Sequence, residues 1–184
     1  MFSKVLAFGL GALAIVRAAP AFSFQMPMLS CSPNFDTSVA AVKANAIEPG
    51  RYLLYNEAWG DKQPSQLRGY AVGEPVFVAY SDLEPGVFGV WDVIHSESEG
   101  SDEYRLVNLG LRAAASVFKD QVVTSQSGEN FEIEPAGNGL FTIKVPNENL
   151  VWTVDTPNIN RLKSNVYLRQ QVGALAAKWK LVRV

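Results

Sequence analysis

Downstream of Ile47 the chain runs in short apolar or aromatic-rich stretches bounded by Gly, Pro, Asn and Asp. These stretches are Arg51–Asn56, Val76–Tyr80, Val87–Ile94, Tyr104–Leu109, Gln121–Thr124, Phe131–Glu134, Leu140–Val145, Val151–Asp155, Val166–Arg169 and Trp179–Val184. Several alternate with a period of two, and β-branched and aromatic residues dominate them, which predicts strands. Ala113–Ala115 and Val172–Ala177 have local helical propensity but are too short for independent helices. Many short strands at this spacing predict an all-β sandwich or barrel.

A weak internal repeat narrows the choice. A run opening on an aromatic residue recurs at Tyr52, Tyr104 and Phe141. A second run follows each, at Leu67–Ala71, Leu111–Ala115 and Val151–Asp155, and then a third at Val76–Ala79, Val122–Ser125 and Val166–Arg169. The fourth carries a large aromatic: Trp91, Phe131 or Trp179. Three units of four strands are the plan of a β-trefoil. Each unit has an apolar face it cannot bury alone, and closure around a pseudo-threefold axis buries all three and protects the sheet edges. Trp91, Phe131 and Trp179 should then be equivalent core residues, as should Tyr52, Tyr104 and Phe141.

The first 46 residues follow a different pattern. Residues 1–21 carry Lys4, an apolar run from Val5 to Val16, and small residues at Ala19 and Ala21, the layout of a secretory signal peptide. The run is shorter than the ~20 residues a membrane span needs. Residues 22–45 have no steady period and read as an extension or propeptide, which leaves 46–184 as the trefoil domain. The expected product is secreted and extracellular, with no membrane attachment after cleavage. The single cysteine, Cys31, has no partner in its own chain, so the protein should be a monomer, or a dimer if Cys31 joins two chains.

Composition removes several functions. Sixteen Lys and Arg against eighteen Asp and Glu make no basic stripe for nucleic acid. His95 is the only histidine, and it reads as a surface residue rather than a general base. Glu132 and Glu134 share a strand face, more simply as solvated charges than as a catalytic pair. No nucleophile elbow, phosphate loop or metal-ligand spacing occurs. We therefore expect no enzyme, no cofactor and no metal, and a binding module instead.

The body resembles the mushroom serine protease inhibitors of the cospin type, which are β-trefoils. The resemblance lies in Ile47-Glu-Pro-Gly-Arg-Tyr52 leading to Asn56, Trp91-Asp-Val93, Asn130-Phe-Glu-Ile133, Trp152-Thr-Val154 and Lys178-Trp-Lys-Leu181, and it spans about residues 47–184. It implies a target protease as partner, blocked by a preorganised loop between the second and third strands, here about Arg68–Pro75. The implied site is Arg68, Gly69 and Tyr70, with Arg68 suited to a trypsin-like pocket. Lys62, beside Pro64 in the preceding loop, is the alternative anchor. The mushroom cysteine protease inhibitors, the mycocypins, share the trefoil and are the second resemblance. A third alternative is a sugar-binding lectin of the ricin B type. The Gln-x-Trp signature of those lectins is absent at Gly89-Val-Trp91, before Phe131 and at Ala177-Lys-Trp179.

Overall fold

A computed structural model describes residues 47–60, 65–80, 84–96, 102–158 and 160–184. The expected signal peptide, the 22–45 extension with Cys31, and Lys62 lie outside the described residues. The strands are β1 (Gly50–Asn56), β2 (Phe77–Ala79), β3 (Val90–His95), β4 (Glu103–Asn108), β5 (Ala113–Phe118), β6 (Gln121–Ser125), β7 (Asn130–Gly137), β8 (Leu140–Lys144), β9 (Leu150–Val154), β10 (Lys163–Gln170) and β11 (Trp179–Arg183).

Six of them close a ring of antiparallel pairs: β1 with β3, β3 with β4, β4 with β7, β7 with β8, β8 with β11, and β11 back to β1. The other strands form a cap. There β5 pairs β6, β9 pairs β10, and β10 also reaches β6 and β2. The second strand of the first unit is reduced to two bridges, Tyr55 with Gln66 and Arg68 with Phe77. With that segment counted, the order is four elements repeated three times.

The register carries the threefold relation down to single residues. Tyr52 lies opposite Trp91, Tyr104 opposite Phe131, and Phe141 opposite Trp179. Trp91, Phe131 and Trp179 are fully buried, so the expected equivalence holds. Each indole anchors the cap to the barrel: Trp91 Nε1 donates to Leu67 O at 3.2 Å, and Trp179 Nε1 donates to Trp152 O at 3.1 Å. Phe131 has no N–H to donate and instead packs edge-on against Trp152, with ring centroids 4.9 Å apart.

A second set of equivalent positions ends the first ring strand of each unit. Asn56 and Asn108 are buried, and each ties a 3-10 turn to the barrel wall. Asn56 Nδ2 donates to Ala176 O and Lys178 O, and its Oδ1 accepts from Ala58 N. Asn108 Nδ2 donates to Phe88 O, and its Oδ1 accepts from Leu111 N. Ala176 and Phe88 lie three residues before Trp179 and Trp91 and belong to the turns Leu175–Ala177 and Gly86–Gly89. In the third unit the corresponding residue is Val145, and no such turn precedes Phe131. The Asn is present where there is a turn to hold.

One strand forms against its local propensity, and one strand boundary changes. Ala113–Ala115 is strand, as its place in the second run of the repeat predicts, because burial between β4 and β6 overrides alanine's helical propensity. Val87–Gly89 is the end of a 3-10 turn, with the strand starting only at Val90.

Candidate functional site

Residues 68–75 connect the two cap segments of the first unit, and β6 holds them from one side. Gly73 N donates to Thr124 O at 2.8 Å, Thr124 Oγ1 donates to Ala71 O at 2.8 Å, and Thr124 N donates to Glu74 O at 3.3 Å. Pro75 bridges Val123, and Gly69 N donates to Phe88 O. Ala71–Glu74 is a turn closed by Glu74 N to Ala71 O at 3.3 Å. Its third position is Gly73 at φ 87°, a backbone that glycine adopts without strain. The loop is therefore preorganised, while the residues from Tyr70 to Glu74 face solvent.

Of the residues expected here, Arg68 points inward. It is 2% exposed, its Nε donates to Gln66 O at 3.2 Å, and its Nη2 donates to Ala79 O at 3.4 Å. As an anchor for an enzyme pocket it would have to leave those partners. The sequence places it at the loop entrance but gives no sign of its direction. Gly69 is buried against Thr124, Leu111 and Val76. Tyr70 stands out from the loop at 50% exposure, with Phe77 and Phe88 behind it at centroid distances of 5.8 and 5.4 Å. Exposed Val72 and Val87 extend this apolar shelf. Lys163 Nζ lies 3.8 Å from the Phe77 ring centroid, and Asn165 sits opposite Phe77 in the sheet.

A cleft of about 510 Å³ opens at the far end of the barrel, lined by Ile47, Tyr52, Phe141 and Leu181 with Glu48 and Asn138 at its rim. Two of its polar groups are already engaged: Glu48 pairs with Arg183 at 2.6 Å, and Tyr52 Oη donates to Glu48 O. Other charged clusters are ion pairs of the surface. Lys144 is gripped by Glu132 at 2.9 Å and Glu134 at 3.1 Å, which raises its pKa above the usual lysine value through those hydrogen bonds, Glu132 first. His95 is exposed and meets the Tyr104 ring edge-on. The Tyr70 shelf thus combines a rigid support with an open aromatic face.

No family model and no curated protein matches the chain. Solved structures do. The designed threefold symmetric protein ThreeFoil aligns at a TM-score of 0.59 with 16% identity, over 73% of this chain and 99% of that one. The Rhizoctonia solani agglutinin aligns at 0.61 with 16% identity, over 75% of this chain and 97% of that one. The fold is a β-trefoil. A Macrolepiota procera ricin B-like lectin, solved in complex with lactose, aligns at 0.56 with 15% identity, over 75% of this chain and 99% of that one. Identities this low carry the fold and not the activity. The resemblance to cospin-type inhibitors is accordingly supported as far as its fold.

At the positions of the lectin signature, Gly89 and Ala177 are buried and have no amide to offer. A Cβ on Gly89 would lie 2.4 Å from Pro85 Cγ, so the signature glutamine is excluded by packing as well as by sequence. Any sugar site on this trefoil must use other groups.

Proposed function

We propose that the chain is a carbohydrate-binding β-trefoil whose ligand rests on Tyr70. The observation that carries this is the half-exposed Tyr70 ring on a loop already fixed by Thr124. The apolar C–H face of a sugar ring packs on an exposed aromatic face, and fixed loops reduce the ordering cost of binding. The similarity to an agglutinin and to a lactose-bound lectin supports this choice over the inhibitor expected from sequence. It is tested on a glycan array, followed by calorimetric titration of the saccharides retained. The wild type should bind at least one class of oligosaccharide, and Tyr70→Ala should lose that binding with an unchanged melting temperature. A wild type that retains no glycan, or a Y70A variant that binds as the wild type does, would refute it.

The pinned, outward-facing loop also favours a second function, protease inhibition. With Arg68 turned inward, the exposed large apolar side chains of the loop are Tyr70 and Val72, which suit an apolar chymotrypsin-like pocket; Lys62 is the basic alternative. Assays against trypsin, chymotrypsin and papain separate the two functions. Chymotrypsin inhibition that Y70A abolishes, with no glycan retained, would favour the inhibitor.

A further inference from the structure

The shelf continues onto one face of β10. Alternation along this strand turns Lys163, Asn165, Tyr167 and Arg169 outward and Ser164 and Val166 into the core. Asn165 pairs with Phe77, so this outward face is continuous with the rings behind Tyr70. From Lys163 to Arg169 it runs about 20 Å at the usual strand rise, long enough for several sugar units.

The face is strongly cationic. Lys163 lies over Phe77, and Arg169 reaches across the Tyr167 ring, 5.2 Å from its centroid, to Asp155. Arg161 meets the same carboxylate, at 2.7 Å against 2.6 Å for Arg169. Among the described residues, one acid therefore answers two guanidiniums, and the Lys163 ammonium is set against a ring rather than a carboxylate. Both guanidiniums remain close to half exposed, at 45% and 49% of their side chains, with N–H donors directed to solvent. The whole chain has a formal charge of −2, so this concentration of positive charge runs against the average of the molecule.

We propose that the saccharide bound by this trefoil is acidic, a sulfated or carboxylated glycan whose anionic groups lie along Lys163, Arg161 and Arg169 while a ring rests on Tyr70. The inference rests on the carbohydrate reading and specifies its ligand class. Guanidinium and ammonium donors form charge-assisted bonds with sulfate and carboxylate oxygens, and rings between them accommodate the sugar faces.

The test is a titration of the wild-type chain with neutral oligosaccharides and with their sulfated and carboxylated counterparts, the two acidic series identifying which anion is preferred. Acidic saccharides should bind about tenfold or more tightly at low salt, and the preference should shrink as ionic strength rises. In the Lys163→Gln/Arg169→Gln double variant the acidic-to-neutral affinity ratio should fall towards one, with the melting transition retained. Equal affinity of the wild type for neutral and acidic saccharides would overturn this inference and leave the carbohydrate function standing. A preference undiminished in the double variant would overturn the assignment to β10. Failure to bind any saccharide would overturn the carbohydrate function as well.

Discussion

Replacing Asn108 by Ala removes one amide, strands one backbone N–H and weakens the hold on one carbonyl. Leu111 N loses its acceptor at 3.1 Å, and Phe88 O loses its shorter bond, at 2.8 Å, while keeping the one from Gly69 N at 3.2 Å. Asn108 is fully buried, so water does not readily replace the amide. An unsatisfied buried polar group costs ~1–3 kcal/mol, so the stranded N–H places the loss at about 1–3 kcal/mol. Urea unfolding at constant temperature reads this directly. With a slope of about 1–3 kcal/mol per molar, the midpoint should fall by roughly 0.3 M or more while the slope stays constant. Asn56→Ala should cost at least as much, since it releases Ala176 O and Ala58 N and weakens the link to Lys178 O. A midpoint shift below about 0.3 M in either variant, at unchanged slope, would mean that the two 3-10 turns hold themselves and that the Asn positions are dispensable.

The other expectations use the same packing. Gly89→Gln, which would write the lectin signature into the first unit, should lower stability by about 1–3 kcal/mol in thermal melts because Pro85 occupies the position of the new Cβ. Trp179→Phe should cost about 1 kcal/mol more than Trp152→Phe, because the Trp179 indole donates to Trp152 O whereas the buried Trp152 indole N–H has no partner among the described residues; equal losses in denaturant unfolding would contradict this. Lys144 has a raised pKa in the folded chain, so its contribution is complete below the ordinary lysine range and is lost as pH rises through the folded value. The melting-temperature gap between wild type and Lys144→Met should therefore be constant near neutrality and narrow in strong alkali, and a gap that widens there would reverse the assignment.

The strands were legible because burial in this fold is alternate and each unit repeats its aromatics. The order of the runs made Tyr52, Tyr104 and Phe141 one set and Trp91, Phe131 and Trp179 another; that members of the two sets lie opposite each other emerges only from the register. The second element of the first unit was less clear, since Leu67–Ala71 contains a strand-like beginning and a loop. The repeat placed Ala113–Ala115 on a strand although its local propensity is helical, because small residues suit a crowded cap strand as well as a helix. At the candidate site the loop boundaries were readable, but the direction of its side chains was not. Arg68 is drawn inward by two carbonyls, one of them eleven residues downstream at Ala79, and Tyr70 is held out by rings from two further segments. The cationic face of β10 was visible only as scattered charges until pairing with β2 brought it beside Tyr70.

The pairing of β11 with β1 has a consequence for biosynthesis. Tyr52 lies opposite Arg183, and Val184 N donates to Arg51 O, so the seam of the barrel joins residues from opposite ends of the domain. A nascent chain can assemble its central hairpins during translation, but it cannot complete the ring until the final strand has emerged from the ribosome. Contacts of such wide separation slow folding, and until they form, the edges of β1 and β8 remain open to neighbouring chains. Ribosome stalling or truncation near Trp179 should therefore yield aggregation-prone species rather than a shortened but soluble trefoil.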